Sequence, residues 1–426
     1  MTPRVILAHA LRWPNVAHLS GAFCDSGFVV GAIAVADHPI HRMRSPDRTF
    51  IYRQTAPRES LREAIETFRP DLIIPCDDRV VAHLSSLYRD AEGQSEPAPT
   101  RLRTLIETSL GRQTASGVFA KRASLADLSR LAHVHVPQTD TVESSADLRK
   151  WVHRYGLPAI LKLDGTWAGQ GAVLIRAESG IPQAMLLARA RRGALRGVKR
   201  ALFDRDLESA LWRQTRAAIT VQSYVAGRLA NAAVACWRGE VIADVAVEVV
   251  RNRTAFGTAS VVQIVEGEAM IAAARSVARH FELSGFYGFD FVLDEISGEP
   301  KLIEINPRAT QINHFACGAG HDLPGALRGV LSADGLYAAR PALQRAEIAM
   351  FPQEWQRDRR SPFLSSAFHD VPCDEPEMCE YYGFDVRGGV GDRDASSRRI
   401  RSVKQFASSS MRKLFRIAPS SSGGTI

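Results

Sequence analysis

The stretch Gly288-Phe-Asp-Phe-Val-Leu-Asp294, followed after a polar turn by Leu302-Ile-Glu-Ile-Asn-Pro-Arg308, decides the fold of this chain. Both segments alternate apolar and polar residues, which is typical of strands with one buried face. The turn between them, Asp294–Pro300, is rich in residues that favour turns. The stretch therefore predicts a β-hairpin with strands near 286–293 and 301–305.

Four polar side chains of this hairpin suit a metal ion held against phosphate: Asp290, Glu304, Asn306 and Arg308. Alternate residues of a strand share a face, so Glu304 and Asn306 point the same way, and strand pairing can bring Asp290 beside them. Carboxylate and amide oxygens are hard ligands that suit Mg²⁺, and arginine complements a phosphoryl group. Carboxylates on solvent-facing strand positions are also common, and for an isolated hairpin that alternative stays open.

The length and composition are those of a globular protein with two or three domains, with 426 residues of which 45% are apolar. No apolar run predicts a transmembrane helix, and the apolar segment Val5–Leu11 lacks the cationic leader of a signal peptide. The 6 cysteines are scattered, with no zinc-binding pattern, so reduced thiols are expected. We expect a cytoplasmic protein.

The net charge of +8 is concentrated in two segments. Met185–Arg216 contains 9 Lys/Arg against 3 Asp/Glu, and residues 395–426 contain 7 Lys/Arg and no acid. A basic patch can meet nucleic acid or anionic lipid, but no nucleic-acid-binding motif accompanies it. A solvated helix face and a disordered tail are the preferred interpretation, so neither nucleic acid nor a membrane is expected as a partner.

Alternating apolar and helical segments predict a small parallel α/β sheet for residues 1–110. The predicted strands are 4–10, 28–35 and 71–76. No Gly-x-Gly-x-x-Gly follows the first strand, so a dinucleotide fingerprint is absent. Asp77 and Asp78 follow the last of these strands, where ligands often bind, although a helix cap is the preferred role. Pro97–Arg101 indicates a break.

A lysine and a glycine-rich loop form the second chemical feature. Lys162 lies in the apolar strand Ala159-Ile-Leu-Lys-Leu163, where burial is costly unless the ammonium faces an anion. The loop Asp164-Gly-Thr-Trp-Ala-Gly-Gln-Gly171 follows at once, and its glycines let backbone N–H groups turn toward a phosphate. The loop lacks P-loop spacing. The lysine, the loop and the downstream hairpin are much more specific together than any of them alone.

With these residues the chain resembles the ATP-grasp superfamily, the fold of carbamoyl phosphate synthetase, biotin carboxylase and many carboxylate–amine ligases. The resemblance covers roughly residues 112–332 and is strongest over Asp290–Arg308. It implies a mixed α/β and α+β fold, in which an N-terminal parallel α/β domain precedes a two-subdomain ATP-grasp fold. The implied domains are residues 1–110, residues 111–335 with a lid subdomain at about 145–222, a C-terminal extension at 336–394 and a basic, serine-rich tail at 395–426.

The resemblance also implies residue roles, with ATP and Mg²⁺ (or Mn²⁺) as cofactors. The lysines would contact ATP phosphates, the 165–171 loop would close over them, and the segment Gln222–Val225 would read adenine. Arg308 would bind the transferred phosphoryl group or the acyl phosphate. The implied cofactor-binding residues are Lys121, Lys162, Gly165, Gly169, Gly171, Gln222, Ser223, Tyr224, Val225 and Asn231; the implied metal ligands are Asp290, Glu304 and Asn306; the implied catalytic residues are Arg308 and Lys162.

Two positions depart from the superfamily pattern. Many members carry an acid after the hinge glycine that binds the ribose hydroxyls, and here Asn231 is the nearest substitute. The first metal-ligand position is Asp290 rather than a glutamate, which has a shorter reach but the same ligand chemistry.

The implied function is an ATP- and Mg²⁺-dependent ligase that activates a carboxylate as an acyl phosphate for attack by an amine. The expected partners are a small-molecule carboxylate and amine, and Gln311 and His314 are candidates for lining the acceptor pocket. The oligomeric state is open, a homodimer being one alternative. Two other functions stay open: a bicarbonate-activating carboxylase or carbamoyl-phosphate-type enzyme, and a non-catalytic ATP-binding regulatory module.

Overall fold

The computed structural model divides the chain into two compact units, residues 1–371 and 372–426. It describes residues 2–13, 15–92, 96–112, 125–163, 172–192, 218–254, 257–332, 339–343 and 345–386. The described part of the second unit contains the helix Pro376–Tyr381. The three sheets described below all lie in the first unit. The domain boundaries expected from the sequence stay predictions.

A parallel four-stranded sheet forms the N-terminal part, in the order β3-β2-β1-β4. Its core strands are almost wholly apolar, as expected for strands covered on both faces. The predicted parallel α/β sheet is confirmed. The strands are β1 (Arg4–Ala8), β2 (Val29–Ala34), β3 (Arg48–Ile51) and β4 (Leu72–Pro75), and the helices are α1 (Asn15–Asp25), α2 (Pro57–Phe68), α3 (Asp78–Asp90) and α4 (Pro97–Leu110), with a 3₁₀ helix at Pro39–Arg42.

The break predicted at Pro97–Arg101 is wrong, because α4 begins at Pro97. Proline fits the first turn of a helix, where its missing N–H would have no intrahelical partner. Leu102, Ile106 and Leu110 recur at helical spacing and are buried in the same apolar cluster as the sheet. This face of α4 therefore packs against the N-terminal sheet. The prolines at the start of the helix are what suggested a break.

A small antiparallel sheet comes next, in the order β5-β8-β6-β7. In β6, Ala159, Leu161 and Leu163 are buried, so Lys162 lies on the opposite face. The strands are β5 (Thr139–Thr141), β6 (Ala159–Leu163), β7 (Val173–Ile175) and β8 (Ile219–Ser223), and the helices are α5 (Leu125–Leu128), α6 (Ser145–Tyr155) and α7 (Ile181–Arg192), with a 3₁₀ helix at Glu178–Gly180.

A seven-stranded sheet contains the hairpin, in the order β13-β12-β9-β10-β11-β14-β15. Its strands pair antiparallel except for β14 and β15. The predicted hairpin is confirmed. The strands are β9 (Gly227–Trp237), β10 (Glu240–Asn252), β11 (Ala259–Val265), β12 (Gly285–Asp294), β13 (Pro300–Asn306), β14 (Glu347–Met350) and β15 (Phe368–Asp370), and the helices are α8 (Glu268–Phe281), α9 (Leu323–Leu331), α10 (Gln353–Arg357) and α11 (Phe363–Ser366).

The small and large sheets are joined by a short connector, because β8 ends at Ser223 and β9 begins at Gly227. Gly227 has φ of 155°, and a Cβ atom placed there would lie 1.9 Å from the carbonyl oxygen of Leu293. The backbone N–H of Glu295 also donates to the carbonyl of Ala226. The connector is therefore pressed against the end of the hairpin, at a position where only glycine fits without displacement.

None of the helices in the described part of the chain has the length and apolar content needed to cross a membrane.

Asp77 links the N-terminus of α3 to the segment after β1. It is fully buried, and its carboxylate accepts hydrogen bonds from the backbone N–H groups of Arg79 and Val80. The same carboxylate accepts from the N–H groups of Ala10 and Leu11, at 2.6 and 3.2 Å. The helix-cap role expected for this residue is confirmed.

Replacing Asp77 with alanine should lower the free energy of unfolding by about 2–4 kcal/mol, because a cap is lost and buried N–H groups are left without an acceptor. The measurement is a urea denaturation curve. Asp71→Ala is the matched control, since Asp71 accepts a backbone N–H from Arg4 at an exposed position and its loss should cost less than about 1 kcal/mol. Equal losses for the two variants would contradict this account of Asp77.

Candidate functional site

The hairpin register places two carboxylates directly opposite each other. Asp290 of β12 pairs with Glu304 of β13, and Gly288 pairs with Asn306. The register shifts immediately after Asp290, between Asp290 and Phe291. Such β-bulges often occur beside functional sites, where they change the direction of a side chain. Two negative charges in register are unfavourable, so this position favours binding of a cation.

Amide groups hold Asp290 from both neighbouring strands. Asn306 donates its Nδ2–H to Oδ2 of Asp290 at 3.2 Å. Asn231 lies opposite Asp290 on β9 and donates its Nδ2–H to Oδ1 at 2.6 Å. Asn231 is thus engaged with the carboxylate cluster, and its expected contact with ribose stays a prediction. Both carboxylate oxygens of Asp290 are oriented by these bonds.

Arg308 joins the hairpin to the N-terminal sheet. Its side chain is 9% exposed, and its Nε–H donates to Oδ1 of Asp78 at 3.0 Å. Its Nη2 donates to Oδ1 of Asn306 at 3.0 Å, and the guanidinium carbon lies 5.0 Å from the centre of the Trp13 ring. Trp13 and Asp78 follow β1 and β4, at the carboxyl edge of a parallel sheet, where ligands commonly bind.

Sequence reasoning missed the part played by Asp78 and Trp13 in this cluster. The available signal was the pair of acids directly after a predicted parallel strand. Asp77 turns inward as the cap, and Asp78 is left on the surface of the first helical turn, 48% exposed, where it reaches Arg308.

Burial and charge shift the proton affinities of this cluster. Burial, followed by the negative charge of Glu304, raises the pKa of Asp290 above its ordinary value, although Asn231 and Arg308 oppose the shift. Burial alone would lower the pKa of the Arg308 guanidinium. The neighbouring carboxylates of Asp78, Glu304 and Asp290 outweigh burial and raise this pKa. Arg308 is therefore a permanent cation, and one of the paired carboxylates holds its proton more tightly than usual.

The donor set fits a hard divalent cation. Asp290 and Glu304 supply carboxylate oxygens from paired positions, and a dication would relieve their repulsion. The amide oxygen of Asn306 faces Arg308 in this structure, so Asn306 joins a metal shell only after its amide turns. The metal and phosphate roles of these residues stay predictions, but their convergence on one place is a structural fact.

A second polar cluster lies on the small sheet. Lys162 of β6 donates from Nζ to Oε1 of Gln222 on β8 at 2.7 Å, and Gln222 donates from Nε2 to Oγ1 of Thr139 on β5 at 3.0 Å. Gln222 is 2% exposed, so its side chain orients Lys162 from within the sheet. Tyr224, after the end of β8, is 40% exposed.

Some predicted site residues have no structural account. Lys121, Gly165, Gly169 and Gly171 lie outside the described residues, as does the whole glycine-rich loop 164–171. Ser223, the last residue of β8, and Val225, in the connector, are half-buried. The nucleotide-binding roles expected for all of these positions stay predictions.

The candidates for the acceptor pocket are divided between two contacts. Gln311 accepts a hydrogen bond from Nε2 of Gln353 at 3.2 Å, and Nε2 of His314 lies 2.9 Å from Oδ2 of Asp370. Among the described residues, no side-chain hydrogen bond or ion pair links Gln311 or His314 to the Asp290–Arg308 cluster. Their acceptor role stays a prediction.

Comparison with known proteins identifies one matching family model and many similar structures. The model described as "ATP-grasp in the biosynthetic pathway with Ter operon" matches residues 217–349. An ADP complex of purK, an N5-carboxyaminoimidazole ribonucleotide synthetase, is similar with a TM-score of 0.55 and 15% identity, over 76% of each chain. The N5-carboxyaminoimidazole synthetase of Staphylococcus aureus with ADP gives 0.52 and 14%, over 80% of each chain.

A third similar structure is the biotin carboxylase domain of the Hydrogenobacter thermophilus 2-oxoglutarate carboxylase, solved with MgADP, ADP and bicarbonate. Its TM-score is 0.55 at 13% identity, over 81% of this chain and 71% of that one. A comparison with curated protein sequences finds no match. At identities this low, a common fold is what the structural similarities establish.

Glu304→Gln should leave the fold intact and change the free energy of unfolding by less than about 1 kcal/mol in the absence of metal, because it removes both a like charge opposite Asp290 and an attraction to Arg308. The same change should abolish the Mg²⁺-dependent part of the thermal stabilisation by ADP. The measurement is a thermal melt with and without MgADP. Glu299→Gln, in the exposed turn of the same hairpin, is the control and should change neither quantity. Retained Mg²⁺-dependent stabilisation in Glu304→Gln would contradict the metal assignment.

Proposed function

The chain has the ATP-grasp fold, and on that premise we propose that it is an ATP- and Mg²⁺-dependent ligase that activates a carboxylate as an acyl phosphate for attack by an amine. The observation that carries the proposal is the convergence of Asp290, Glu304, Asn306 and Arg308 at the end of one hairpin. This set combines a place for a divalent cation with a buried cation beside it, as transfer of a phosphoryl group requires.

The chemistry explains why both kinds of charge are needed. A carboxylate is a poor electrophile, and phosphorylation gives it a good leaving group that an amine can displace. The carboxylate and the triphosphate are both anions, so they repel each other until positive groups lie between them. Mg²⁺, when bound by Asp290 and Glu304, would neutralise phosphate charge and act as a Lewis acid. Lys162 and Arg308 would supply the remaining positive charge.

Arg308 is well placed to orient an anion rather than merely to attract it. Asp78 accepts from Nε, Asn306 accepts from Nη2, and the carbonyl of Ala309 accepts from Nη1 at 3.2 Å. These three bonds fix the guanidinium plane and use one hydrogen on each nitrogen, which leaves the second hydrogens of Nη1 and Nη2 for an anion. A planar donor pair of this kind matches two oxygens of a phosphate or a carboxylate.

Lys162 has a comparable support on the small sheet. Gln222 and Thr139 form a hydrogen-bonded chain that ends on the lysine Nζ, across three neighbouring strands. In the proposed reaction the ammonium would meet the phosphates of ATP, and a closed site would exclude the water that otherwise hydrolyses the acyl phosphate.

A bicarbonate-activating reaction is a second candidate. It is favoured by the similar biotin carboxylase domain, whose structure contains bicarbonate together with MgADP. Bicarbonate is itself a small carboxylate, so the same cations would serve its phosphorylation. The two candidates differ in one measurable property, since only the second makes ADP formation depend on added bicarbonate in CO₂-depleted buffer.

Lys162→Ala and Arg308→Ala should each lower kcat for substrate-dependent ADP formation by at least about 100-fold, because each removes a cation that stabilises charge in the transition state. Lys301→Ala is the matched control, since Lys301 lies on the same hairpin and pairs with Glu299 in the exposed turn. The measurement is a coupled ADP assay, with melting curves to confirm that each variant is folded. Full activity in either variant would remove that residue from the proposed site.

The substrate is found by a phosphate-release screen over pools of amino acids, other carboxylic acids and amines, with and without bicarbonate. Mass spectrometry of the active pool identifies the product. An amide product with stoichiometric ADP supports the ligase. A carboxylated or carbamoyl product that requires bicarbonate supports the second candidate. Tight MgATP binding with no substrate-dependent turnover across the panel would overturn both and favour a regulatory module.

A further inference from the structure

A second cluster of metal-binding residues lies outside the Asp290–Arg308 site. It is formed by His18 of α1, His314 of the segment after β13, and Asp370 at the end of β15. One ligand atom from each residue lies within 4.8 Å of the others. The three side chains are 6%, 10% and 10% exposed, so they meet in the interior of the first unit.

The hydrogen bonding of His18 leaves one nitrogen for a cation. Nε2 lies 3.1 Å from the backbone carbonyl of Phe351, and a carbonyl only accepts, so Nε2 carries the hydrogen of this bond. In a neutral imidazole only one nitrogen carries a hydrogen. Nδ1 then presents its lone pair toward Oδ1 of Asp370 at 3.7 Å, which is too long for a hydrogen bond. Two acceptors therefore face each other across a gap of the size that a metal ion bridges.

His314 completes the set from the adjacent side. Its ring stacks on that of His18, with centres 4.5 Å apart and planes inclined by 26°. Its Nε2 is hydrogen-bonded to Oδ2 of Asp370 at 2.9 Å, and a metal ion bound between the two atoms would replace this hydrogen bond. Both imidazoles therefore have a nitrogen near the same carboxylate.

A cavity of about 460 Å³ opens beside this cluster, and its lining includes His314, Asp370, Arg340 and Asp25. Arg340 is held in place by Asp322 and by the carbonyl of His314. An ion bound by the three residues would thus have a coordination position on the cavity side for water or a small ligand. This is the arrangement of open metal sites, which keep a position for substrate.

The cluster shares no residue with the proposed Mg²⁺ site. The ligand types also differ, because imidazole nitrogens suit borderline ions and the Asp290 cluster offers only oxygen.

We propose that His18, His314 and Asp370 bind a divalent transition-metal ion of the Zn²⁺ class, with an open coordination position facing the 460 Å³ cavity. Zinc with bonds of about 2.1 Å holds tetrahedral ligand atoms roughly 3.4 Å apart. The separations of 2.9 and 3.7 Å to Asp370 bracket that value. The site is independent of the proposed ligase activity and would stand if that proposal failed.

The test uses the full-length protein, stripped of metal with a chelator and studied without ATP. Zn²⁺ is titrated by calorimetry, and Co²⁺ is added as a spectroscopic probe. We expect one tight Zn²⁺ per chain and a Co²⁺ absorption spectrum typical of a low-coordinate site with nitrogen ligands. His314→Gln and Asp370→Asn should each weaken Zn²⁺ binding by at least about 10-fold, and Glu304→Gln should leave it unchanged.

His321→Ala is the matched control, because His321 forms a comparable pair with Asp244 at 3.0 Å but is 49% exposed and outside the cluster. Its Zn²⁺ affinity should stay within about 2-fold of wild type, since no metal ligand is lost. Melting curves confirm folding of each variant, and the Co²⁺ spectrum of the wild type gives evidence that needs no variant. Equal Zn²⁺ affinity in wild type and Asp370→Asn, or a Co²⁺ spectrum like that of the hydrated ion, would overturn the proposal.

Discussion

The like-charge pair Asp290 and Glu304 is the constraint on which the rest of the site depends. The strand register places them opposite each other, so the pairing of β12 and β13 keeps their backbone positions together. The amides of Asn231 and Asn306 and the charge of Arg308 offset the repulsion. Arg308 is itself buried, which would be costly without a carboxylate of its own. Asp78 supplies that carboxylate from the N-terminal sheet.

Through these interactions the N-terminal sheet becomes part of the site. Arg308 would be a buried cation with less pairing if Asp78 were absent, and Asp78 is positioned only because Asp77 caps the same helix. The two acids after β4 have different tasks although they are adjacent in sequence. Asp77 caps α3. Asp78, in the first turn of the same helix, accepts a hydrogen bond from Arg308 after the hairpin.

The sequence was sufficient for the hairpin, the parallel sheet and the position of Lys162, because each depends on local alternation or on residues close along the chain. The ion pair of Asp78 and Arg308 spans a separation of 230 residues. His18, His314 and Asp370 also come from three separate parts of the chain. Contacts of this kind depend on topology, and no local pattern encodes them. The break predicted at Pro97 was wrong for another reason. Proline interrupts a helix interior but is favoured in the first turn of a helix.

The short connector between the small and large sheets has a mechanical consequence. Tyr224, Val225 and Ala226 are all that separate β8, which carries Gln222, from β9, which carries Asn231. Gly227 lies in close contact with the hairpin, so the connector leaves little room for relative movement. A displacement of the small sheet would therefore pull on the strand whose amide holds Asp290. The backbone thus connects the strand of Gln222 directly to the strand of Asn231, so the positions of the Lys162 and Asp290 clusters depend on each other.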